Sequence, residues 1–260
     1  MAHKARKRFG QNFLVDQQVI SAIIDTIHPQ PQDHMVEIGP GLGALTRPLL
    51  QTLNHLIVVE LDRDIVERLE KDFPKDRLTV YSTDALRFDF STLSSDLRII
   101  GNLPYNISTP LLFYLSQFSA AIVDMHFMLQ KEVVERMVAN PSTSDYGRLS
   151  VMLQYRFEME HVFNVPSDSF RPAPKVESAI VRMQPIDKKT LIATDEALFS
   201  KVVTAGFSQR RKTLRNTLSA YLSAEGFTHL EIDPGLRAEN LTVEQYILIA
   251  NYLADSAQDC

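Results

Sequence analysis

The stretch Met35-Val-Glu-Ile-Gly-Pro-Gly-Leu-Gly-Ala44 decides the fold. Residues 35–38 have strand character and run straight into a turn with three glycines. Such glycines let the backbone turn tightly and approach a ligand with no Cβ in the way. Glu60 stands at the end of the next apolar run, 56–59, where an acid accepts hydrogen bonds from ribose hydroxyls. Asp84 closes the strand pattern that follows, again at a carboxyl end, within reach of an adenine amino group. Gly39-x-Gly41-x-x-Ala44 with Glu60 satisfies a dinucleotide fingerprint as well as an S-adenosylmethionine loop, and a hydride-transferring oxidoreductase is one reading of it. Glu37 favours the methyl donor. A carboxylate would repel a pyrophosphate but not a cationic methionine moiety.

Working outward, residues 15–27 place Val19, Ile20, Ile23, Ile24 and Ile27 on one helical face, with Asp16 as cap. Further strand patterns lie at 78–81, 97–100 and 121–128, separated by helical stretches at 44–54, 63–73 and 108–118. Strands alternating with helices predict an α/β fold, a Rossmann-like parallel sheet with right-handed crossovers. Beyond 130 come a helix near 131–139, an apolar run at 150–157, and strands at 162–166 and 178–183 that read as a hairpin-like addition to the sheet edge. Strand signals stop at 184–190. Helical patterns then occupy 196–206, 209–224 and 242–254. The expected domains are 1–187, the sheet domain with its basic N-terminal segment, and 188–260, all helical.

The chemistry points to Asn102-Leu103-Pro104-Tyr105, at the end of the fourth strand. An exocyclic adenine amine is a poor nucleophile because its lone pair is delocalised into the ring. Two acceptors binding its hydrogens favour a tetrahedral nitrogen, and the Asn102 side-chain oxygen and Leu103 carbonyl can supply them. Pro104 holds Leu103 extended, and Tyr105 offers a stacking face for a flipped base. Phe170, between strands in Ser169-Phe-Arg-Pro-Ala-Pro-Lys175, reads either as a second stacking partner or as a core residue. Arg171 and Lys175 beside it meet either phosphate or solvent. The seven histidines form no i, i+4 pair, so no metal site is expected, and neither a Walker loop nor a nucleophile elbow is present.

The 260-residue chain is 45% hydrophobic and 23% charged, near the globular average. Without a bilayer-length apolar run, an apolar secretory leader or an internal cysteine, it is expected to be a soluble protein of a reducing, cytoplasmic compartment. Net charge is −5, yet residues 1–15 carry Lys4, Arg6, Lys7 and Arg8 without an acid. Residues 197–224 carry Lys201, Arg210, Arg211, Lys212 and Arg215, again without an acid. Removing those four and five charges leaves −14 on the rest. Such segregation makes either an anion-binding face or two solvated faces.

Arg6-Lys-Arg-Phe-Gly-Gln-Asn-Phe-Leu14, Glu37-Ile-Gly-Pro-Gly-Leu-Gly43, Asn102-Leu-Pro-Tyr-Asn-Ile-Ser-Thr-Pro110, Phe170-Arg-Pro-Ala-Pro-Lys-Val-Glu-Ser178 and Phe207-Ser-Gln-Arg-Arg-Lys-Thr-Leu-Arg-Asn216 together resemble the small-subunit rRNA adenine dimethyltransferases. The resemblance runs from about residue 6 to Leu253, with Arg237–Tyr246 similar to that family's last helix region. It implies an S-adenosylmethionine-dependent methyltransferase fold with a small C-terminal helical domain and no metal. It implies two methylations on each of two adjacent adenosines near the 3′ end of 16S rRNA, in a 30S subunit or late precursor, with a role in late 30S biogenesis. It also implies that Asn12 and Leu14 close over the cofactor beside Gly39, Gly41, Glu60, Asp84 and Asn102. Arg6, Lys7 and Arg8, with Arg210, Arg211, Lys212 and Arg215, would hold rRNA phosphates. Arg211 and Arg215, four apart, would share a helical face. A monomer, with no membrane partner, is expected. The alternatives are a 23S rRNA methylase and an assembly factor that chiefly binds the immature subunit.

Overall fold

The computed structural model describes residues 11–186 and 192–258. Helix α1 (Gln17–Ile27) follows a two-residue strand β1 (Phe13–Leu14), and its start is set by Asp16, whose carboxylate accepts from the Gln18 and Val19 amides. Ile20, Ile23 and Ile27 form its buried face. The helix stops at His28, which adopts a left-handed conformation with φ of 49°.

The chain then alternates as the hydrophobic pattern predicts: β2 (His34–Ile38), α2 (Thr46–Thr52), β3 (Leu56–Glu60), α3 (Arg63–Asp72), β4 (Leu78–Ser82), β5 (Leu97–Asn102), α4 (Ser108–Leu115) and β6 (Ile122–Gln130). After α5 (Lys131–Val138) and α6 (Arg148–Gln154) come β7 (Phe157–Val165), the two-residue β8 (Phe170–Arg171) and β9 (Ser178–Pro185). Among the described residues seven strands form one sheet in the order β4-β3-β2-β5-β6-β9-β7. The β2, β3, β4, β5 and β6 ladders are parallel, and β9 joins β6 antiparallel, so β7 and β9 make the edge addition expected from sequence. Central strands of a parallel sheet are covered on both faces, which is why Met35, Val36 and Ile38 are all buried.

Two compact units result. One holds the described residues up to Val134 together with Glu158–Pro185, and the other holds Glu135–Phe157 with the described chain from Ile186. This differs from two contiguous domains. Tyr146 and Val151 pack in the same core as Phe199, Val202, Leu214 and Tyr246, and that packing draws α6 into the helical unit. The expected boundary near 187 lies outside the described residues.

In the helical unit α7 (Glu196–Gly206) and α10 (Val243–Gln258) form where the periodicity placed helices. The single helix expected over 209–224 does not form. Leu214 N–H donates to Leu236 O (2.8 Å), Arg215 N–H donates to Pro234 O (3.0 Å), and Thr213 bridges Arg237. Those amides are unavailable to carbonyls four residues back, so no helix runs from 209 into this stretch; α8 (Leu214–Thr217) starts only at Leu214, and α9 (Ala224–His229) follows separately. Arg211 therefore precedes a helix that contains Arg215, and the two do not share a helical face.

Candidate active site

The strand order fixes where a ligand can sit. From β2 the chain moves outward to β3 and β4 on one side, then returns to β5 and β6 on the other. Beside β2 the connections diverge, and a crevice opens at the carboxyl ends of the strands. A cavity of about 980 Å³ occupies that place, a size suited to a small-molecule ligand. Gly39, Gly41 and Gly43 line it with φ of 67°, 55° and 82°, a left-handed run that favours glycine.

Three strand ends bring carboxylates to this cavity. Glu37 is 2% exposed and Glu60 9%. Burial pushes the Glu37 carboxyl up to about 7; the Thr46 hydroxyl, donating at 2.7 Å, opposes the rise, and the Glu60 charge adds to it. Glu60 is also raised by burial, against backbone amide hydrogen bonds led by Asp62 at 2.8 Å. Asp84 lines the same space and takes the Leu86 amide at 3.0 Å. Among the described residues no cation lies within ion-pair distance of Glu37 or Glu60. This set of acceptors suits a cationic ligand carrying a ribose diol. It disfavours a pyrophosphate, which would face Glu37 across the glycine turn.

Asn102, Leu103, Pro104 and Tyr105 form one wall of the cavity. Gly101 places them. A Cβ built on it would stand 2.5 Å from the Ile38 carbonyl oxygen, so only glycine lets β5 lie this close to the end of β2. The Asn102 amide nitrogen donates to the Asn12 carbonyl at 3.1 Å, which leaves its oxygen as an acceptor. Tyr105 is half-buried, and its hydroxyl is 2.8 Å from the Ser178 hydroxyl.

Periodicity alone did not reveal the strap over this space. Residues 11–16 run from Gln11, whose amide donates to Asp62 at 3.2 Å, past Asn12 at Asn102, to β1. Strand β1 pairs antiparallel with β8, Leu14 opposite Phe170, and Ser169 donates its hydroxyl to Asp16 at 3.0 Å. Asn12 and Leu14 line the cavity, and Phe13 lies against Gly41, where an added Cβ would be 3.1 Å from its ring. Two-residue strands carry no alternation to detect, so the quoted motif was their only signal.

Other expected site residues lie elsewhere. Phe170 is fully buried in the core with Leu14, Ile20 and Ile180 and does not line the cavity, which is the core-residue reading of that position. Arg171 braces its own loop by donating to the Asp168 and Phe170 carbonyls, while Lys175 is exposed. Arg210, Arg211, Lys212 and Arg215 are exposed on the helical unit, with Arg210 donating to the Ser144 carbonyl at 2.6 Å. Arg6, Lys7 and Arg8 lie outside the described residues. No group of three metal-ligating side chains occurs among the described residues, and no helix there is long and apolar enough to cross a membrane.

Known proteins share both this sequence and this architecture. A protein from Nitrosospira multiformis named ribosomal RNA small subunit methyltransferase A is 64% identical, covering 97% of this chain and 97% of its own. One of the same name from Thiobacillus denitrificans is 63% identical over 97% of this chain and 99% of its own. Among solved structures, a dimethyladenosine transferase from Plasmodium falciparum superposes with a TM-score of 0.81 at 25% identity, covering 94% of this chain and 98% of that one. The 23S rRNA methyltransferase ErmE shares the fold, with a TM-score of 0.70 at 24% identity over 94% of this chain and 100% of its own. The model of the ribosomal RNA adenine dimethylase family matches residues 2–255, and the chain belongs to that family.

Proposed function

We propose that this member of the family uses S-adenosylmethionine to dimethylate the 6-amino groups of two adjacent adenosines near the 3′ end of 16S rRNA. Its substrate is a 30S subunit or late precursor, and it acts as a cytoplasmic monomer in late subunit biogenesis. The observation that carries the reading is the Asn102 amide. It stands in a cavity with a glycine turn and three carboxylates, its nitrogen donating to Asn12 and its oxygen left to accept. The near relatives are named for the small subunit, which favours 16S over 23S rRNA as target.

In this reading Glu60 accepts from the ribose hydroxyls, Asp84 takes the adenine amino group, and Gly39 and Gly41 admit the backbone-hugging portion of the cofactor. Asn12 and Leu14 close over it, and Glu37 provides negative charge for its cationic part. The bound sulfonium supplies an already activated methyl group, so no strong general base is required of the protein. The Asn102 oxygen and Leu103 carbonyl accept the two N–H bonds of the target amine, turning its lone pair out of the base plane. Pro104 fixes that carbonyl, and Tyr105 stacks on the base. Phe170 would reach the base only by leaving its buried position, so it is assigned support of the strap. Arg210, Arg211, Lys212 and Arg215, with Arg6, Lys7 and Arg8, hold rRNA phosphates.

The test is transfer of radiolabelled methyl to 30S particles lacking the modification, with mature 30S, 50S and naked 16S rRNA beside them. Label approaching two methyl groups on each of two adenosines of the unmodified 30S is the expected result. Label on 50S components would move the target to 23S rRNA. Binding of particles without any transfer would leave an assembly role alone.

A further inference from the structure

We infer that Ser178 is a positioning residue for methyl transfer, tethering the tip of the Tyr105 ring so that its stacking face stands ready for the target base. The inference rests on the proposed role of Tyr105. Ser178 is fully buried, at the start of β9, and its hydroxyl lies 2.8 Å from that of Tyr105. Its backbone is held in the β6–β9 ladder opposite Gln130. Next to it, the Glu177 carbonyl accepts from the Lys131 amide at 3.0 Å, and the Glu177 carboxylate accepts from the Lys131 ammonium at 3.0 Å. The anchor is therefore part of the sheet rather than of a loop.

Tyr105 leaves the chain directly after Pro104, in the irregular segment that follows β5. A ring there, held only at its Cβ, swings about χ1. A ring also bonded at its para oxygen is held at both ends of its long axis, so the χ1 swing is removed and the ring's place in the cavity wall is kept. The bond joins two chain segments far apart in sequence, so the wall that reads the base is braced by the strand that follows the Phe170–Lys175 loop. Preorganised positioning acts on turnover more than on ground-state binding.

The experiment compares Ser178→Ala, Tyr105→Phe and the double variant in methyl transfer to unmodified 30S particles, with cofactor affinity and melting temperature measured alongside. Ser178→Ala is expected to lower kcat about three- to tenfold, the equivalent of one neutral hydrogen bond, with KM for particles and cofactor affinity unchanged. Tyr105→Phe should lose the same factor, and the double variant no more than either, because one bond is removed in all three. Wild-type kcat in Ser178→Ala overturns the inference, as do losses that multiply. A lowered melting temperature with kcat per folded molecule intact also overturns it, since that is what a merely structural serine produces. If Ser178→Ala does not fold, Tyr105→Phe removes the same bond from the other side, and wild-type turnover there is equally fatal. The stacking role itself fails separately: Tyr105→Ala would then retain full turnover. An inactive Tyr105→Ala beside an unaffected Ser178→Ala would remove only the role of Ser178.

Discussion

At the amino end of the sheet, Asp33 and Asp124 meet Arg98; at the carboxyl end, Glu37 and Glu60 meet no described cation. The Arg98 guanidinium lies 2.6 Å from Asp33, bonds both oxygens of Asp124 at 2.9 and 2.8 Å, and donates to the Ile27 carbonyl at 2.7 Å. Its side chain is 14% exposed, those of Asp33 and Asp124 16% and 6%. That end is electrostatically closed and ties the last turn of α1 to β5 and β6. Glu37 and Glu60 sit as deep, yet burial raises both carboxyls because only neutral donors answer them. The same residue class does structural work at one end and, in the proposed function, meets a cationic ligand at the other. Buried carboxyls without a counter-charge beside a cavity are candidates for ligand contact, whereas ion-paired ones brace the fold.

Four substitutions test this contrast. The largest effect belongs to Arg98→Ala, which strands the buried Asp124 carboxylate and the partly buried one of Asp33. It should remove about 3–5 kcal/mol of stability in urea unfolding, with cofactor affinity of the remaining folded protein unchanged. Asn102→Ala acts at the other end and in the opposite sense. Stability should be nearly untouched while methyl transfer falls on the order of a hundredfold or more, as when one preorganised polar contact to the reacting group is removed.

Glu37→Gln comes next. In the wild type, affinity for the cationic methyl donor should tighten up to about tenfold from pH 6 to pH 8, as a carboxyl titrating near 7 becomes charged. The Gln variant should bind more weakly and lose that pH dependence in calorimetry. Stability should move the other way. A carboxyl whose folded pKa is raised holds its proton longer when folded, so the ligand-free wild type loses stability as pH rises from about 4.5 to about 7. Glu37→Gln should therefore melt higher than wild type at pH 8 and not at pH 4. The smallest effect is that of Thr46→Val. Losing the 2.7 Å hydrogen bond that favours the charged form should shift the pH midpoint of cofactor affinity upward by about one unit.

Much of this site was legible before any coordinates. Glu37, the glycine turn, Glu60 and Asp84 could be placed because each follows a run of apolar strand residues, and a parallel sheet puts every such end on one edge. Asn102–Tyr105 followed for the same reason. Gly101 escaped notice because its importance lies in the distance to Ile38, sixty-three positions earlier, which no local pattern records. Phe170 could be read two ways, since an aromatic beside prolines looks the same whether it faces a cavity or a core. Its burial beside Ile20 and Ile180, away from the cavity lining, supports the core reading.

Local chemistry along the chain thus determined most element types, the strand ends and the candidate site residues that follow them, because periodicity, turn residues and charge are properties of neighbours in sequence. Only the folded structure decided what depended on partners distant in sequence. The strap closes through Asn12 on Asn102. The expected helix over 209–224 starts no earlier than Leu214 because 234–237 captures the Leu214 and Arg215 amides. Helix α6 joins the helical unit through Tyr146 and Val151. Backbone donors and buried faces are satisfied by whichever group the fold brings within reach, and that choice is made in three dimensions.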